Sequence, residues 1–341
     1  MAKRCKVLSI VGPGRSGTTI LGNILGQVPG FFSAGEVRFI WQRGLIERRA
    51  CGCGVPPPEC GVWSAVFREM AAKGVAFTDG GGAAPGIVTL DPCEIVSWQS
   101  EISLLRRRAR VLRQLTGRTG WEAFDRYTDL MGRLYESVSE VTGARVLVDT
   151  SKRAQDAVVT ARVPGIDHYV LHIVRDPRAV AYSWRRIKQP PGGRDPAMGR
   201  KRPLNSVLRW VENCLSAEAL RARTEPSRWL FMRYEDFAAE PRAAVERIVA
   251  FVGENPGLVP FEDNRSLRLT VNHTVSGNSN RFVKGPVTIR ADNEWQDRLS
   301  TPARLVTTAF SLPFLPRYGY AIWPHDGKTP LRSFSKSEAG D

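Results

Sequence analysis

Short apolar runs that end in polar residues and feed helical repeats recur along the chain. Val7 to Val11 ends at Gly12; after the loop Gly12-Pro13-Gly14-Arg15-Ser16-Gly17, Thr18-Thr19 open an amphipathic stretch carrying Ile20, Leu21, Ile24 and Leu25. Arg145 to Asp149 predicts a further buried strand, followed by Thr150-Ser151-Lys152 and a helix to about Arg162. His168 to Val174 predicts another, followed by Arg175-Asp176-Pro177 and a helix with Val180, Ser183 and Trp184. A helix from Leu204 to Arg223 leads to the last clear strand, Trp229 to Arg233, then to Tyr234-Glu235-Asp236 and a helix from about Pro241. Buried strands alternating with helices predict a doubly wound sheet whose ligands sit at the carboxyl ends of parallel strands.

Between and after these units the pattern is less regular. Phe31 to Gly35 reads as a short strand, and Glu36 opens a helical repeat through Val37, Ile40, Trp41 and Leu45. The Cys/Pro stretch from Cys51 to Cys60 breaks that repeat; a short helix is expected from Val62 to Ala72, a turn over 79–86, and long helices over 91–115 and 120–142. Residues 189–203 have no apolar period and are rich in Pro, Gly and Arg, which reads either as a mobile, positively charged lid or as a plain exposed connection. Residues 272–295 are polar and irregular, and a final helix from Asp292 to Phe310 precedes a Pro-rich tail. The expected organisation is one domain over 1–325, with a helical insertion at about 50–143, and a flexible tail over 326–341.

Composition narrows the partners. At 341 residues, 42% hydrophobic and 24% charged, the chain can bury a substantial core. Lys and Arg number 49 against 34 Asp and Glu, a balance of +15 that favours a polyanionic ligand or surface. The clusters Arg106–Arg110 and Arg194–Arg202 are not interleaved with aromatics, so they make no stacking platform for nucleic acid. No stretch approaches the roughly 20 apolar residues of a membrane span. MAKRCK runs straight into the first strand, so a cytoplasmic protein without a removed leader is expected. Cys51, Cys53 and Cys60 lie close together, but no fourth Cys or His is near in sequence. A zinc site would need that fourth ligand, so the thiols are expected to be free or to form one bridge, and no metal is expected.

The loop carries the chemistry. Backbone amides of a Gly-rich strand-to-helix turn converge on an anion, and the helix N-terminus adds partial positive charge. The spacing from Gly12 to Gly17 is that of a Walker A loop, yet Thr18 stands where its Lys should reach the β- and γ-phosphates. The loop therefore points to phosphate while the missing Lys argues against an ordinary ATPase, and Arg15 becomes the candidate cation.

GRSGTT at Gly14–Thr19 resembles the 5′-phosphosulfate loop of sulfotransferases that use 3′-phosphoadenosine 5′-phosphosulfate (PAPS), notably the tyrosylprotein and carbohydrate enzymes and their bacterial relatives. VRDPRAVAYSW at Val174–Trp184 resembles that family's 3′-phosphate motif, an Arg at a strand end and a Ser eight residues later. SGNSNRFVKG, Asp292 and Trp295 extend the likeness. The resemblance implies a P-loop NTPase-like, three-layer α/β/α fold with a central, mostly parallel sheet. It also implies transfer of a sulfuryl group to a hydroxyl with release of adenosine 3′,5′-bisphosphate, and without metal.

On this resemblance the donor contacts are Gly14, Arg15, Ser16, Gly17, Thr18 and Thr19 at the 5′ end and Arg175 with Ser183 at the 3′-phosphate. Arg281, Lys284 and Gly285 would form a late basic loop, and Ser276 would touch the leaving group. Glu36 matches the family's carboxylate base, or is a helix-start carboxylate. Lys152 matches a Lys near the bridging oxygen, or is a surface Lys at a helix start. His273 could touch cofactor or acceptor and is a second candidate base, whereas His168 and His172 fit buried strand positions. Arg15 and Lys152 would stabilise the transferring group. The acceptor would be a small-molecule, glycan or lipid hydroxyl, with no nucleic acid; the charge also allows peripheral association with an anionic membrane. The alternatives are an ATP-dependent small-molecule kinase of P-loop fold and a non-catalytic, basic nucleic-acid-binding module.

Overall fold

The apolar run that opens the chain becomes β1 (Lys6–Val11), the middle strand of the molecule's main sheet. In the computed structural model, which describes residues 5–78, 87–117, 120–186 and 199–323, the other strands are β2 (Phe31–Gly35), β3 (Val75–Phe77), β4 (Val88–Leu90), β5 (Val146–Lys152), β6 (Asp167–Val174), β7 (Trp229–Arg233), β8 (Ser266–Leu269) and β9 (Gly285–Thr288). The main sheet has the order β2-β5-β1-β6-β7, and every pairing in it is parallel. β3 pairs with β4 and β8 with β9 in two small separate sheets.

Alternation along the strands builds two cores. Val7, Val11, Leu147 and Val170 face one side, where the helices Gly61–Ala72, Glu122–Thr142 and Ala154–Arg162 pack. Leu8, Ile10, Val146, Val148, Leu171 and Ile173 face the other, against the helices Thr18–Leu25 and Pro241–Phe251. The result is the expected α/β/α sandwich, with both faces of a parallel sheet covered. Among the described residues no helix is long and apolar enough to cross a membrane.

Several expected elements change shape. The repeat after Glu36 is not an α-helix: one 3-10 turn (Val37–Phe39) runs into a π-helix (Ile40–Ile46), a winding that apolar spacing does not distinguish from the α-form and that recurs at functional sites. The stretch 91–115 splits into Pro92–Ser103, a 3-10 turn and Arg108–Arg113, because Leu104 leaves the helical region at ψ 132°. Thr150, Ser151 and Lys152 are the last residues of β5 instead of a loop after it. The final helix divides into Trp295–Arg298 and Thr301–Ser311, where Ser300 and Pro302 start a new helix. The expected turn over 79–86, the expected loop over 189–203 apart from its last residues, and the tail over 326–341 lie outside the described residues.

Candidate functional site

The strand β1 cannot continue past Gly12 as an ordinary residue. Gly12 has φ 138°, its N–H donates to the Lys152 carbonyl at 3.0 Å, and a Cβ there would fall 2.0 Å from the Ile173 carbonyl oxygen. Neighbouring strand ends thus hold the start of the loop from both sides. Left-handed Gly17 precedes the helix Thr18–Leu25 and turns its first amides back toward the loop. Ser16 is fully buried, and its Oγ has no partner among the described residues.

A cleft of about 310 Å³ opens over this loop at the carboxyl ends of β1, β2 and β5. Gly14, Arg15, Gly17, Thr18, Thr19, Glu36 and Lys152, all expected site residues, line it together. Glu36 and Lys152, 116 positions apart in sequence, form an ion pair through Oε1 and Nζ. Their side chains keep 14% and 16% of their exposure, enough to meet a bound molecule.

Glu36 is aimed by its backbone. Its N–H donates to the Val275 carbonyl at 2.8 Å, and the Val275 N–H donates to the Ala34 carbonyl at 2.9 Å. Ser276 follows, and its hydroxyl accepts from Arg43 Nη1. Thr19 Oγ1 accepts from the Asn278 N–H at 3.3 Å, which joins the Gly12–Thr19 loop to the 272–280 stretch. Arg15, Lys152 and Ser276 all hold left-handed backbones, at φ 71°, 73° and 56°. Among the described non-glycine residues, Arg48 is the only other in that region, so three of four such positions are expected site residues. Such strain persists where surrounding structure over-determines it, and it clusters at sites that bind or react.

Behind the loop lies a cationic cluster. Arg15 donates from Nε to Ser183 Oγ at 3.0 Å and lies over the Trp184 ring. Arg175 donates from Nη1 to the Arg15 carbonyl at 3.2 Å and from Nη2 to the Asp292 carbonyl at 3.0 Å. Arg186 also pairs with Asp292. Arg175 and Arg186 thus share the Asp292 carboxylate, Arg186 also reaches Glu294, and Arg175 Nε is buried with no partner among the described residues. Burial, then Arg175 and Arg186, push Arg15 down to about 10. Against the cost of burial, Arg175 and Arg186 hold the Asp292 carboxyl below its ordinary value. Excess positive charge around an unpaired buried donor suits a dianion.

Other expected site residues are placed differently. Ser183, Arg175 and Ser276 sit behind the cleft wall instead of lining it. Arg281 is 1% exposed and donates to the carbonyl of Gly277 at 3.0 Å, so it supports the loop from inside the protein. Lys284 is exposed just before β9, and neither it nor Gly285 lines the cleft. His273 points at Cys60, with Nδ1 3.1 Å from Sγ, and also stays out of the cleft, which leaves Glu36 as the carboxylate or imidazole base candidate inside it. His172 is buried in β6 as expected and His168 is half-buried there; loss of water pushes His168 down to about 3 and His172 to about 4.

The cleft also recruits residues that the sequence did not single out. Arg38, Phe39 and Arg43 come from the 3-10 and π segment, and Arg209, Trp210 and Asn213 from the helix Pro203–Arg221. Trp184 adjoins Ser183 and Lys201 lies within the basic Arg194–Arg202 run, so both carried a faint signal. Lys201 Nζ sits 3.6 Å from the Trp184 ring centre, and burial, then Arg209 and Arg15, push it down to about 8.

Residues 122–255 match the model of a sulfotransferase family. That stretch contains Lys152, Arg175 and Ser183, and leaves Gly12–Thr19 and Glu36 outside. No curated protein matches the chain. Among solved structures, it is similar to the sulfotransferase domain from the curacin biosynthetic pathway, at 15% identity and TM-score 0.47 over 92% of this chain and 98% of that one. It is also similar to the sulfotransferase domain of the Synechococcus PCC 7002 olefin synthase, at 18% and 0.43 over 92% and 95%. A third likeness is to a sulfotransferase from Alicyclobacillus acidocaldarius, at 14% and 0.40 over 91% and 93%.

Proposed function

Taking the sulfotransferase-family match over residues 122–255 as premise, we propose that the chain transfers a sulfuryl group from PAPS to a hydroxyl on a small molecule, glycan or lipid. One observation carries this reading: a phosphate loop with Thr18 in place of the Walker Lys shares a cleft with the Glu36–Lys152 ion pair. A γ-phosphate-transferring enzyme needs that Lys, whereas the donor proposed here has no γ-phosphate.

The buried donors left without protein partners fit an anionic nucleotide. Ser16 Oγ, the amides of Gly14–Thr19 and Arg15 would hold the 5′ end, and Arg175 with Ser183 and Arg186 would hold the 3′-phosphate. When bound, the co-substrate supplies an activated sulfuryl group whose in-line transfer leaves adenosine 3′,5′-bisphosphate. Glu36 takes the proton of the attacking hydroxyl. Lys152, already paired with Glu36, turns its charge toward the leaving oxygen as Glu36 becomes neutral. Arg43 keeps Ser276 in place beside them.

Calorimetric titration separates this reading from its alternatives. The expected result is saturable binding of adenosine 3′,5′-bisphosphate without Mg²⁺, collapsing in Arg175→Ala while the thermal transition is retained. Preference for ATP with Mg²⁺ would instead make the chain a kinase. Binding of polynucleotide alone, weakening steeply with salt, would make it a nucleic-acid module.

A further inference from the structure

Cys51, Cys53 and Cys60 do have a fourth neighbour, contributed from the far end of the chain. His273 brings Nδ1 to 3.1 Å from Cys60 Sγ and 4.0 Å from Cys51 Sγ. Cys51 Sγ is 3.2 Å from Cys53 Sγ and 3.7 Å from Cys60 Sγ, and all four ligand atoms lie within 4.8 Å of one another. We propose that these four side chains bind one structural Zn²⁺.

The chemistry and the spacing agree. A tetrahedral Zn²⁺ with bonds of about 2.3 Å to sulfur and 2.0 Å to nitrogen sets its ligand atoms roughly 3.5–3.8 Å apart. Three thiolates and one imidazole form a closed set with no position for water or substrate, the mark of a structural instead of a catalytic site. Soft sulfur donors in a tetrahedral arrangement select Zn²⁺ over Mg²⁺ or Ca²⁺. Cys51 and Cys60 are 1% and 0% exposed, so the centre is shielded from solvent. Cys60 stands at the N-terminus of the helix Gly61–Ala72, where the helix dipole favours a thiolate.

The surrounding backbone is built to bring the two segments together. The Cys51 N–H donates to the Val55 carbonyl at 2.8 Å and the Gly54 N–H to the Cys51 carbonyl at 2.9 Å, closing a tight turn around the first two ligands. The Gly52 N–H donates to the Thr274 carbonyl at 3.0 Å, and Trp63 Nε1 donates to the His273 carbonyl at 2.7 Å. A Cβ at Gly52 would fall 1.9 Å from Asn272 Oδ1, so only glycine permits that approach. These contacts orient His273 from the main chain, leaving its ring free to serve as a ligand.

The site would clasp the Cys51–Cys60 turn to residues 272–275, two positions before the cleft-lining stretch at Gly277 and one before Ser276. The metal acts as a brace for the wall that aims Glu36 and takes no part in the reaction. The inference rests on the Cys/His geometry and stands apart from the proposed activity.

The test uses full-length protein without a histidine-containing tag, purified under reducing conditions and with no chelator. Elemental analysis is expected to find about one zinc per chain. Cobalt substitution is expected to give the intense thiolate charge-transfer bands of a tetrahedral site. Cys53→Ser and His273→Ala should each lose the metal and lower the thermal midpoint, whereas Cys93→Ser, at an exposed cysteine outside the cluster, should keep both. Metal-free wild-type protein whose cluster thiols all react with a thiol reagent in the native state would overturn the proposal. So would a Cys51–Cys53 or Cys51–Cys60 disulfide found by mass spectrometry, or iron in place of zinc. Zinc content of the wild type decides the matter even if every variant fails to fold.

Discussion

The loop from Gly12 to Thr19 takes its shape from two glycines and the strand ends beside them, whereas residues 272–280 are also held by groups from distant parts of the chain. In the first, φ values that glycine adopts freely do most of the shaping, and the helix that follows supplies the dipole. In the second, the Val275 N–H donates to the Ala34 carbonyl, the Gly52 N–H donates to the Thr274 carbonyl, Trp63 Nε1 donates to the His273 carbonyl, and Arg43 donates to Ser276. Both loops line one cleft, yet one is encoded largely by its own residues and the other is pinned by partners more than two hundred positions away. A self-encoded loop should fail when its backbone is changed. A partner-encoded loop should tolerate backbone change and fail when its partners go.

The sharpest test is Gly12→Ala. With φ at 138° and the Ile173 carbonyl 2.0 Å from the new Cβ, the substitution should cost about 3 kcal/mol or more in urea unfolding. A cost under about 1 kcal/mol would show that the loop can reshape. Glu36→Gln should cut sulfuryl transfer by about 10²-fold in steady-state assays while leaving bisphosphate affinity almost unchanged. Equal loss of turnover and affinity would move Glu36 from chemistry to positioning.

Lys201 offers a pH test on the loop side of the cleft. Its folded value of about 8 lies below the ordinary 10.5, so its charge is present at pH 7 and mostly gone at pH 9. Bisphosphate affinity should therefore weaken several-fold, roughly three- to tenfold, from pH 7 to pH 9. Lys201→Met should flatten that dependence, and a profile unchanged by the substitution would assign it to another group.

The smallest effect is expected at Ser276→Gly. Glycine relieves the left-handed backbone at φ 56° but removes the hydroxyl that Arg43 holds, so stability should stay within about 1 kcal/mol of the wild type. Turnover should fall by a few-fold, because the wall beside Glu36 loses its tether. A loss of about 2 kcal/mol or more in calorimetric unfolding would mean that Ser276 matters to the fold more than to the site.

The same contrast explains what could be read from the residues. The apolar runs that became β1, β5 and β6 are largely buried on both faces, so their sequence alone marks them, and the polar residues after or at the end of each mark the cleft end of the sheet. Arg15, Thr18, Glu36 and Lys152 were legible because each follows or ends such a run. Side-chain direction was not legible. Arg281 and Lys284 lie three residues apart in one motif, yet the first turns inward under Gly277 and the second outward to solvent. The π winding after Glu36 shares its apolar spacing with an α-helix. His273 joins Cys60 across 213 positions, a pairing that no local spacing announces.

The contact between Val275 and the backbone around Glu36 has a consequence for the protein's behaviour in company. β2 is the outer strand of the main sheet, and the Ala34 carbonyl and Glu36 N–H on its free side are groups to which a strand from another chain could add. Val275 occupies both. A chain in which the 272–275 segment comes loose would lose the aim of Glu36 and bare a sticky edge in the same event, so loss of the proposed activity and self-association should set in together.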